Sequence, residues 1–272
     1  MKKHFTSYIS QNFGRFASRS FSPVLQRFIN SAYVGIMGLD MSEFSPPSHY
    51  KSLNALFTRK LLKPRPFSPD DHDFIAPCDS LVTEFGNLES TKALQIKGMS
   101  YCVKALLGDQ FDDIAKKSVE HGQFINFYLS PRDYHRYHIP TDLQLLKAVH
   151  IPGKLYPVNM PSLNKRVDLF IENERVILEC LTRAKKRFYM VLVGALNVGK
   201  MQLSFESRIK TNADALSVSS YLYEDLHLKK GDDFGCFEMG STIVIISEPG
   251  MFDLSLDRDQ KVSFGQTIAR VK

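Results

Sequence analysis

The chain has 272 residues, a formal net charge of +6 at pH 7 and four cysteines without paired spacing. This length predicts one domain, with or without a small appendage, that buries roughly three-quarters of the unfolded chain's surface. The cysteine pattern argues against a disulfide-stabilised fold and for a reduced cytosolic environment. No uninterrupted apolar run approaches the ~20 residues that span a bilayer, and we expect no signal peptide. The positive charge suits anionic partners, either lipid or nucleic acid.

The first 39 residues contain basic side chains and no acidic one. Their apolar residues recur at helical spacing in two groups, 5–16 and 24–33, and we expect Gly14 and Pro23 to divide them into two short amphipathic helices. The basic residues are Lys2, Lys3, Arg15, Arg19 and Arg27. This pattern predicts an interfacial anchor with its aromatic side in lipid and its basic side toward anionic headgroups. The alternative is an ordinary amphipathic segment packed on the protein's own core.

Beyond a linker-like stretch at 45–48, the pattern predicts a short helix over 53–62. From about residue 74 it changes to short strands rich in β-branched and aromatic residues. The predicted strands include 167–171, 175–181, 188–195, 201–205 and 242–247. Two further helical patterns cover 101–107 and 111–119. The basic residues of 183–187 indicate a hairpin tip, where a solvated turn is favoured over a second lipid contact.

Three positions could supply acid–base chemistry. Ser130 and Pro131 are typical of a helix start, and one helical turn would put His135 and His138 on the same face. An extended chain would send the two imidazoles to opposite faces. On one face they could act as a base and an acid near neutral pH, with the loop carboxylate of Asp79 orienting one of them.

Gly240-Ser241-Thr242 stands at the start of the last apolar strand. Because glycine has no Cβ, an attacking group can approach the Gly240 carbonyl closely, and the Ser241 hydroxyl can reach back to it. We interpret this as a candidate self-cleavage site, in which Asp79, a histidine and Ser241 form a nucleophile, base and orienting set. The alternative is ordinary turn chemistry.

In these segments the chain resembles the phosphatidylserine decarboxylases of the prokaryotic membrane-associated type. The matching blocks occur in family order and cover nearly the whole chain. The most specific blocks are Gly240-Ser241-Thr242 and Ser130-Pro131-Arg132-Asp133-Tyr134-His135, the second of which lies inside a longer matching segment at 128–140. The others lie at 54–61, 76–80, 97–101, 106–108, 152–159, 173–176, 193–195 and 230–235.

The resemblance implies that Ser241 is the self-cleavage nucleophile, with His138 as its base and Asp79 holding His138 in the useful tautomer. Attack on Gly240 would turn the amide into an ester, and elimination would release a β chain, residues 1–240. Dehydroalanine at position 241 would hydrolyse to a pyruvoyl group that caps the α chain, residues 241–272. No pyridoxal phosphate or metal is needed.

The resemblance further implies that the pyruvoyl group forms a Schiff base with phosphatidylserine and takes up the electrons left when carbon dioxide departs. The product would be phosphatidylethanolamine. His135 is the candidate acid/base that protonates the carbanion at Cα, although it could instead only position the substrate.

The helical and strand patterns together predict a fold class of α+β. N-terminal amphipathic helices in a membrane-associating segment, residues 1–48, precede a mainly antiparallel β domain, residues 49–272, which contains the self-cleavage site. The expected partners are phosphatidylserine, an anionic membrane surface on the cytoplasmic side, and the second chain of the same precursor. A homo-oligomer is compatible with the sequence, and nucleic acid is not expected.

Three departures from the family pattern are Ser80 where glycine is common, Met239 where leucine is frequent, and Cys102 where serine is frequent. A zinc site at His135 and His138 would lack a clear third ligand. A binding module of another class, a β-sandwich with a basic membrane-docking arm, would leave the Gly240–Ser241 bond intact. A third hypothesis is a pyruvoyl-dependent enzyme that decarboxylates a soluble amino acid. The basic, aromatic N-terminus argues against it.

Overall fold

The computed structural model describes residues 5–96, 99–158, 168–196, 200–213, 217–238 and 241–272. The predicted features at Lys2, Lys3, residues 97–98, Met239 and Gly240 lie outside these ranges. The longer helices are α1 (Phe5–Ser18) and α2 (Pro23–Met37), followed by a 3₁₀ turn (Pro47–His49). The short helices are α3 (Leu53–Phe57), α4 (Val103–Leu107), α5 (Asp113–Lys117) and α6 (Leu169–Glu172).

Strands make up most of the remaining regular structure, and the predicted α+β class is confirmed. The first eight are β1 (Asp73–Ile75), β2 (Ser80–Asn87), β3 (Lys92–Ile96), β4 (Met99–Cys102), β5 (Gln123–Leu129), β6 (Arg136–His138), β7 (Leu143–Ile151) and β8 (Arg175–Thr182). The rest are β9 (Arg187–Val193), β10 (Met201–Leu203), β11 (Ser219–Leu228), β12 (Asp233–Phe237), β13 (Ser241–Ser247), β14 (Phe252–Leu254), β15 (Gln260–Val262) and β16 (Thr267–Val271).

The main sheet has eight strands in the order β11-β7-β8-β9-β13-β5-β2-β15, and its neighbours pair antiparallel. β13 lies inside this sheet, between β5 and β9. Its side chains alternate between two hydrophobic cores, with Ile243 and Ile245 in one and Val244 and Ile246 in the other. A strand buried on both faces needs a continuous apolar run, which explains this stretch of sequence.

Three smaller sheets accompany it, with the orders β1-β16-β14, β10-β12-β6 and β3-β4. The pairing of β6 with β12 sets Asp233 opposite His138 and Cys236 opposite Arg136. Because β12 ends just before Ser241 in sequence, this sheet brings the histidine segment to the same end of the molecule as the start of β13.

Helix α2 turns its polar side toward the protein. Its buried residues are Gln26 and Asn30, and the Asn30 amide donates to the carbonyls of Pro47 and Tyr50 at 2.9 Å each. Several of its apolar residues point outward, with Val24 83% and Phe28 70% exposed, whereas Tyr33 and Val34 are partly buried against a small core cluster. A helix that packed only on its own core would bury the apolar side chains that are exposed here. Among the described residues, no helix combines the length and apolar character that crossing a membrane requires.

Several predicted boundaries are wrong for local reasons. Gly14 does not interrupt α1, whereas Pro23 does begin α2. The predicted helix over 53–62 ends at Phe57, where the Thr58 N–H and hydroxyl both donate to the carbonyl of Asn54 at 2.9 Å. The predicted strand over 167–171 is the single turn α6 in its described part, whose Ile171 carbonyl accepts from Arg175 at 2.6 Å.

Other predictions of the β domain hold. The predicted strands over 175–181, 188–195, 201–205 and 242–247 correspond to β8, β9, β10 and β13. The charged tip between β8 and β9 is a tight turn, where Lys185 adopts a φ of 58°. Arg183 there forms ion pairs with Asp71 and Asp142, which fits a structural turn. All four cysteines are free thiols.

Candidate functional site

The Ser130–Asp133 turn leads into the histidine segment. It is closed twice, because the Asp133 N–H donates to the Ser130 carbonyl at 2.9 Å and the Ser130 N–H donates to the Asp133 carboxylate at 2.6 Å. After this turn the chain extends into β6 and does not form a helix. The predicted helical turn, with His135 and His138 on one face, is therefore wrong. The two imidazoles occupy different surroundings.

His138 is held on three sides. Its Nδ1 lies 2.9 Å from the carbonyl of Gly231, its Nε2 lies 3.1 Å from the hydroxyl of Tyr134, and its ring stacks on Phe264 at 3.5 Å between centroids. Because a carbonyl only accepts, Nδ1 carries the proton, and the Nε2 lone pair accepts from the tyrosine. Burial lowers the pKa of His138, so the ring is neutral at pH 7. This tautomer leaves Nε2 as the basic nitrogen.

Gly231 has a role that its sequence context does not indicate. Its φ of +86° lies in the region that favours glycine, and a Cβ there would come within 2.3 Å of the Phe67 ring. The carbonyl that orients His138 therefore depends on a position where a side chain is strained. The sequence analysis included Gly231 in a family block without assigning it a function.

Asp79 contacts Arg65 and Phe264. Its carboxylate accepts hydrogen bonds from Arg65 Nη1 at 2.5 Å and from Arg65 Nη2 at 3.0 Å. It also accepts the backbone N–H of Phe264 at 2.8 Å. In the described part of the chain no hydrogen bond joins Asp79 to His138, because the arginine fork takes the carboxylate and the Gly231 carbonyl takes Nδ1. The expected orienting contact is thus not formed in this structure. The negative charge of Asp79 still raises the pKa of His138 through space, against the larger effect of burial.

His135 is fully buried, and among the described residues one of its two ring nitrogens has a hydrogen-bond partner. Its Nδ1 lies 2.8 Å from the carbonyl of Asp133, and its ring packs on Phe57 at 4.1 Å between centroids. Its Nε2 has no hydrogen-bond partner. Burial lowers the pKa of His135 to about 3. A neutral imidazole with an unengaged, buried Nε2 is suited to exchange a proton with a ligand.

Ser241 is the first residue of β13 and is fully buried opposite Leu129. Among the residues that the structure describes, its Oγ has no hydrogen-bond partner, and neither has the hydroxyl of Thr242 or of Ser130. Buried hydroxyls are normally paired, so this group of unpaired hydroxyls is unusual. Gly240, on the other side of the predicted cleavage site, lies outside the described residues.

The fold brings the candidate residues to one end of the sheet by two routes. β5 ends at Leu129, beside Ser241, and continues into the turn that carries both histidines. β12 ends at Phe237, whose N–H donates to the carbonyl of His135 at 2.9 Å. Within the described residues, no three His, Cys, Asp or Glu side chains are grouped as metal ligands.

Sequence reasoning missed the contacts made by Arg65, Tyr134 and Phe264. Tyr134 stands inside the most specific family block, four residues before His138, and that spacing was the available signal. Arg65 and Phe264 lie far from the motifs in sequence, and no local pattern marks them.

Comparison with known proteins gives a consistent answer. The family model described as phosphatidylserine decarboxylase matches residues 53–270. A phosphatidylserine decarboxylase proenzyme of Helicobacter pylori is 47% identical over 262 residues, covering 96% of this chain and 95% of the relative. One of Campylobacter jejuni is 43% identical over 270 residues, covering 97% and 99%. One of Coxiella burnetii is 32% identical over 242 residues, covering 88% and 84%.

Proposed function

Because the chain belongs to the phosphatidylserine decarboxylase family, we propose that it is a self-processing, pyruvoyl-dependent enzyme that converts phosphatidylserine to phosphatidylethanolamine. The observation that carries this proposal is Ser241, whose buried Oγ has no hydrogen-bond partner at the first position of β13. A structural serine in a buried strand would pair its hydroxyl.

The residues around Ser241 fit a pyruvoyl group. Conversion of the serine removes a hydroxyl that makes no hydrogen bond here, so no native contact is lost. The unpaired hydroxyl of Ser130 follows Leu129, the residue that pairs with Ser241, and keeps a donor at this end of the strand. When present, the pyruvoyl group supplies electron withdrawal from the amine-bearing carbon of the substrate.

The processing step uses His138 as the base. Ser241 Oγ loses its proton to Nε2 and attacks the Gly240 carbonyl. His138 then returns the proton to the Ser241 nitrogen as the C–N bond breaks, which leaves an ester and a free amine. Elimination of the Gly240 carboxylate leaves dehydroalanine, which takes up water and releases ammonia. The Gly231 carbonyl fixes the required tautomer, and the charge of Asp79 stabilises the imidazolium.

His135 is the proposed proton donor to the substrate carbon after carbon dioxide leaves. Its Nδ1–H is fixed on the Asp133 carbonyl, which orients the ring and leaves Nε2 to take up a proton from the substrate ammonium and then deliver it to the substrate carbon. A positioned acid/base of this kind contributes ~10²–10⁴-fold to the rate.

The proposed location is the cytoplasmic face of a membrane. The exposed apolar side chains of α1 and α2, among them Phe5, Phe16, Val24, Phe28 and Ile36, support an interfacial anchor. Arg15, Arg19 and Arg27 are exposed beside them and can meet anionic headgroups. The acyl chains of the substrate remain in the bilayer, so the enzyme has to reach them there.

Denaturing electrophoresis and intact mass test the processing, and turnover of phosphatidylserine vesicles tests the reaction. The wild type should give chains of residues 1–240 and 241–272, whereas Ser241→Ala should give one full-length chain and no turnover. Ser247→Ala changes a buried serine at the other end of β13 and should process normally. Cleavage in Ser241→Ala, or turnover by an uncut chain, would refute the proposal.

A further inference from the structure

A cavity of about 370 Å³ opens beside the Ser130–Asp133 turn. Cationic and anionic side chains both line it, and it reaches Gly38 at the end of α2. The cations are Arg59, Arg65, Arg132 and Lys261. The cavity therefore lies between the outward-facing helix and the turn that carries the two candidate histidines.

Arg59 is a buried cation that forms no ion pair with any carboxylate in the described part of the chain. Its side chain packs on the Phe44 ring, 4.5 Å from the centroid, and the residue is 2% exposed. Only Nη2 has acceptors, the carbonyls of Arg132 at 3.1 Å and Asp133 at 3.3 Å. Its Nε and Nη1 have no partner, and among the described residues no carboxylate forms an ion pair with it. Burying an unpaired charge is costly, and this argues for an anionic ligand.

Arg132 and Lys261 add two further charges at the rim. Both are exposed, and within the described part of the chain neither forms an ion pair. Arg65 differs, because Glu43 and Asp79 hold its guanidinium. Three of the four cations are thus available.

The acids of the cavity are engaged elsewhere. Glu43 and Asp79 both accept hydrogen bonds from the Arg65 guanidinium. Asp40 accepts the Ser42 N–H at 2.9 Å. Asp133 accepts the Ser130 N–H at 2.6 Å. None of them forms an ion pair with the three available cations.

The cavity is also joined to His135. Arg59 Nη2 and His135 Nδ1 both lie within hydrogen-bonding distance of one oxygen, the carbonyl of Asp133. The Asp133 carbonyl would therefore be the group that separates an anion bound to Arg59 from His135, the proposed proton donor.

We propose that Arg59, Arg132 and Lys261 bind the phosphodiester of a phospholipid headgroup in this cavity. This inference rests on the proposed function and assigns a binding site to it. A phosphodiester is favoured over the substrate carboxylate, because tight binding of the carboxylate would stabilise the ground state against loss of carbon dioxide. The phosphodiester persists from substrate to product, so binding it orients the headgroup without opposing the reaction.

The test measures binding apart from catalysis. Ser241→Ala protein, which cannot form the pyruvoyl group, is titrated by calorimetry with monomeric dihexanoyl phosphatidylglycerol, an anionic phosphodiester without an amine. We expect Arg132→Ala and Lys261→Ala each to weaken binding roughly threefold to tenfold, and Arg59→Ala by about tenfold or more. Lys229→Ala, in a different cavity, is the matched control and should bind normally.

Arg59→Lys guards against misfolding of Arg59→Ala, because it keeps the charge without the fork; it should bind with intermediate affinity. The exposed Arg132 and Lys261 variants test the site without disturbing the core. If the Arg132→Ala and Lys261→Ala variants bind the short-chain lipid as tightly as the Ser241→Ala parent does, the proposed site is wrong. The absence of any binding by Ser241→Ala would also overturn the site.

Two further measurements identify the source of the phosphodiester. If it belongs to the substrate, the short-chain lipid inhibits mature enzyme competitively, and Arg132→Ala raises KM with little change in kcat. If it belongs to a neighbouring lipid, the same compound activates the enzyme, and Arg132→Ala abolishes the activation. Inorganic phosphate binding as tightly as the lipid would reject a lipid site. An inactive wild type that still binds the lipid would refute the proposed function and leave the binding site standing.

Discussion

The imidazole of His138 lies flat on the ring of Phe264, with centroids 3.5 Å apart and planes inclined by 13°. The backbone N–H of the same phenylalanine donates to Asp79 at 2.8 Å. Phe264 therefore stands between the two residues that the family resemblance pairs directly. It follows Ser241 in sequence, whereas His138 and Asp79 precede it, so the proposed cleavage would put the two halves of this contact on separate chains.

His138→Ala should stop processing, whereas Tyr134→Phe should leave it within about threefold of the wild type. The phenylalanine keeps the ring that packs beside the histidine and frees Nε2 to receive the Ser241 proton. Gel densitometry of the full-length chain against time measures both rates. If Tyr134→Phe is as inactive in processing as His138→Ala, the hydroxyl belongs to the proton path.

Asp79→Asn should slow processing by up to about tenfold, because it removes one of the negative charges that favour protonated His138, of which Asp233 is the stronger. The asparagine can still accept the Phe264 N–H, so the loop around residue 264 should stay in place. Glu43→Gln is the control, since Glu43 shares Arg65 with Asp79. Similar slowing in both variants would mean that Asp79 acts only through the arginine.

His135→Gln should mature normally but lose about 10²–10⁴-fold in decarboxylation rate. The change removes the proton carrier and leaves Ser241 and His138 untouched. Intact mass reports the cut and the ketone, and carbon dioxide release reports turnover. Failure to mature would move His135 into the processing machinery.

Stability of the Ser241→Ala protein should fall as pH drops below about 6.5. The folded-state pKa of His135 is lowered by burial from 6.5 to about 3, so between these values the unfolded chain binds a proton that the folded chain does not. The contribution is complete above pH 6.5 and declines by up to about 1.4 kcal/mol per pH unit below it. Denaturant titrations should show a flatter pH dependence when His135→Gln is added. An unchanged slope would contradict a buried neutral ring.

Val24→Ser with Phe28→Ser should reduce binding to anionic vesicles by about tenfold or more, because each exposed side chain can bury apolar area in lipid. Their effect on unfolding free energy should stay within about 0.5 kcal/mol. Asn30→Ala should instead destabilise the protein by about 1–3 kcal/mol, since two partly buried carbonyls lose their donor. Vesicle sedimentation and denaturant titration measure the two effects. Loss of stability without loss of binding in the double variant would favour core packing.

Strands β8, β9 and β13 were predictable because they carry their signal locally. β13 is apolar at every central position, and a buried strand leaves few other interpretations. The division of the N-terminus was only half predictable: proline fixes a helix start through its ring, whereas Gly14 merely lowers helix propensity within a helix that continues.

The candidate site was predictable in its residues and less so in its contacts. The family blocks contain Asp79, His135, His138 and Ser241. What sequence could not reveal is that Arg65 engages the Asp79 carboxylate and that a backbone carbonyl orients His138. Main-chain groups have no residue-type signature, and a partner brought in by tertiary packing leaves no spacing to detect.

The segment that begins at Ser241 contributes strands to two sheets. β13 lies between β5 and β9, β15 pairs with β2, and β16 lies between β1 and β14. A chain severed before Ser241 would stay assembled while folded, but once denatured its two polypeptides would diffuse apart. Renaturation would then be a second-order encounter that slows with dilution, whereas an uncut chain refolds at a rate independent of concentration. Maturation would thus make unfolding difficult to reverse. The lifetime of the cleaved protein would then depend on its unfolding rate.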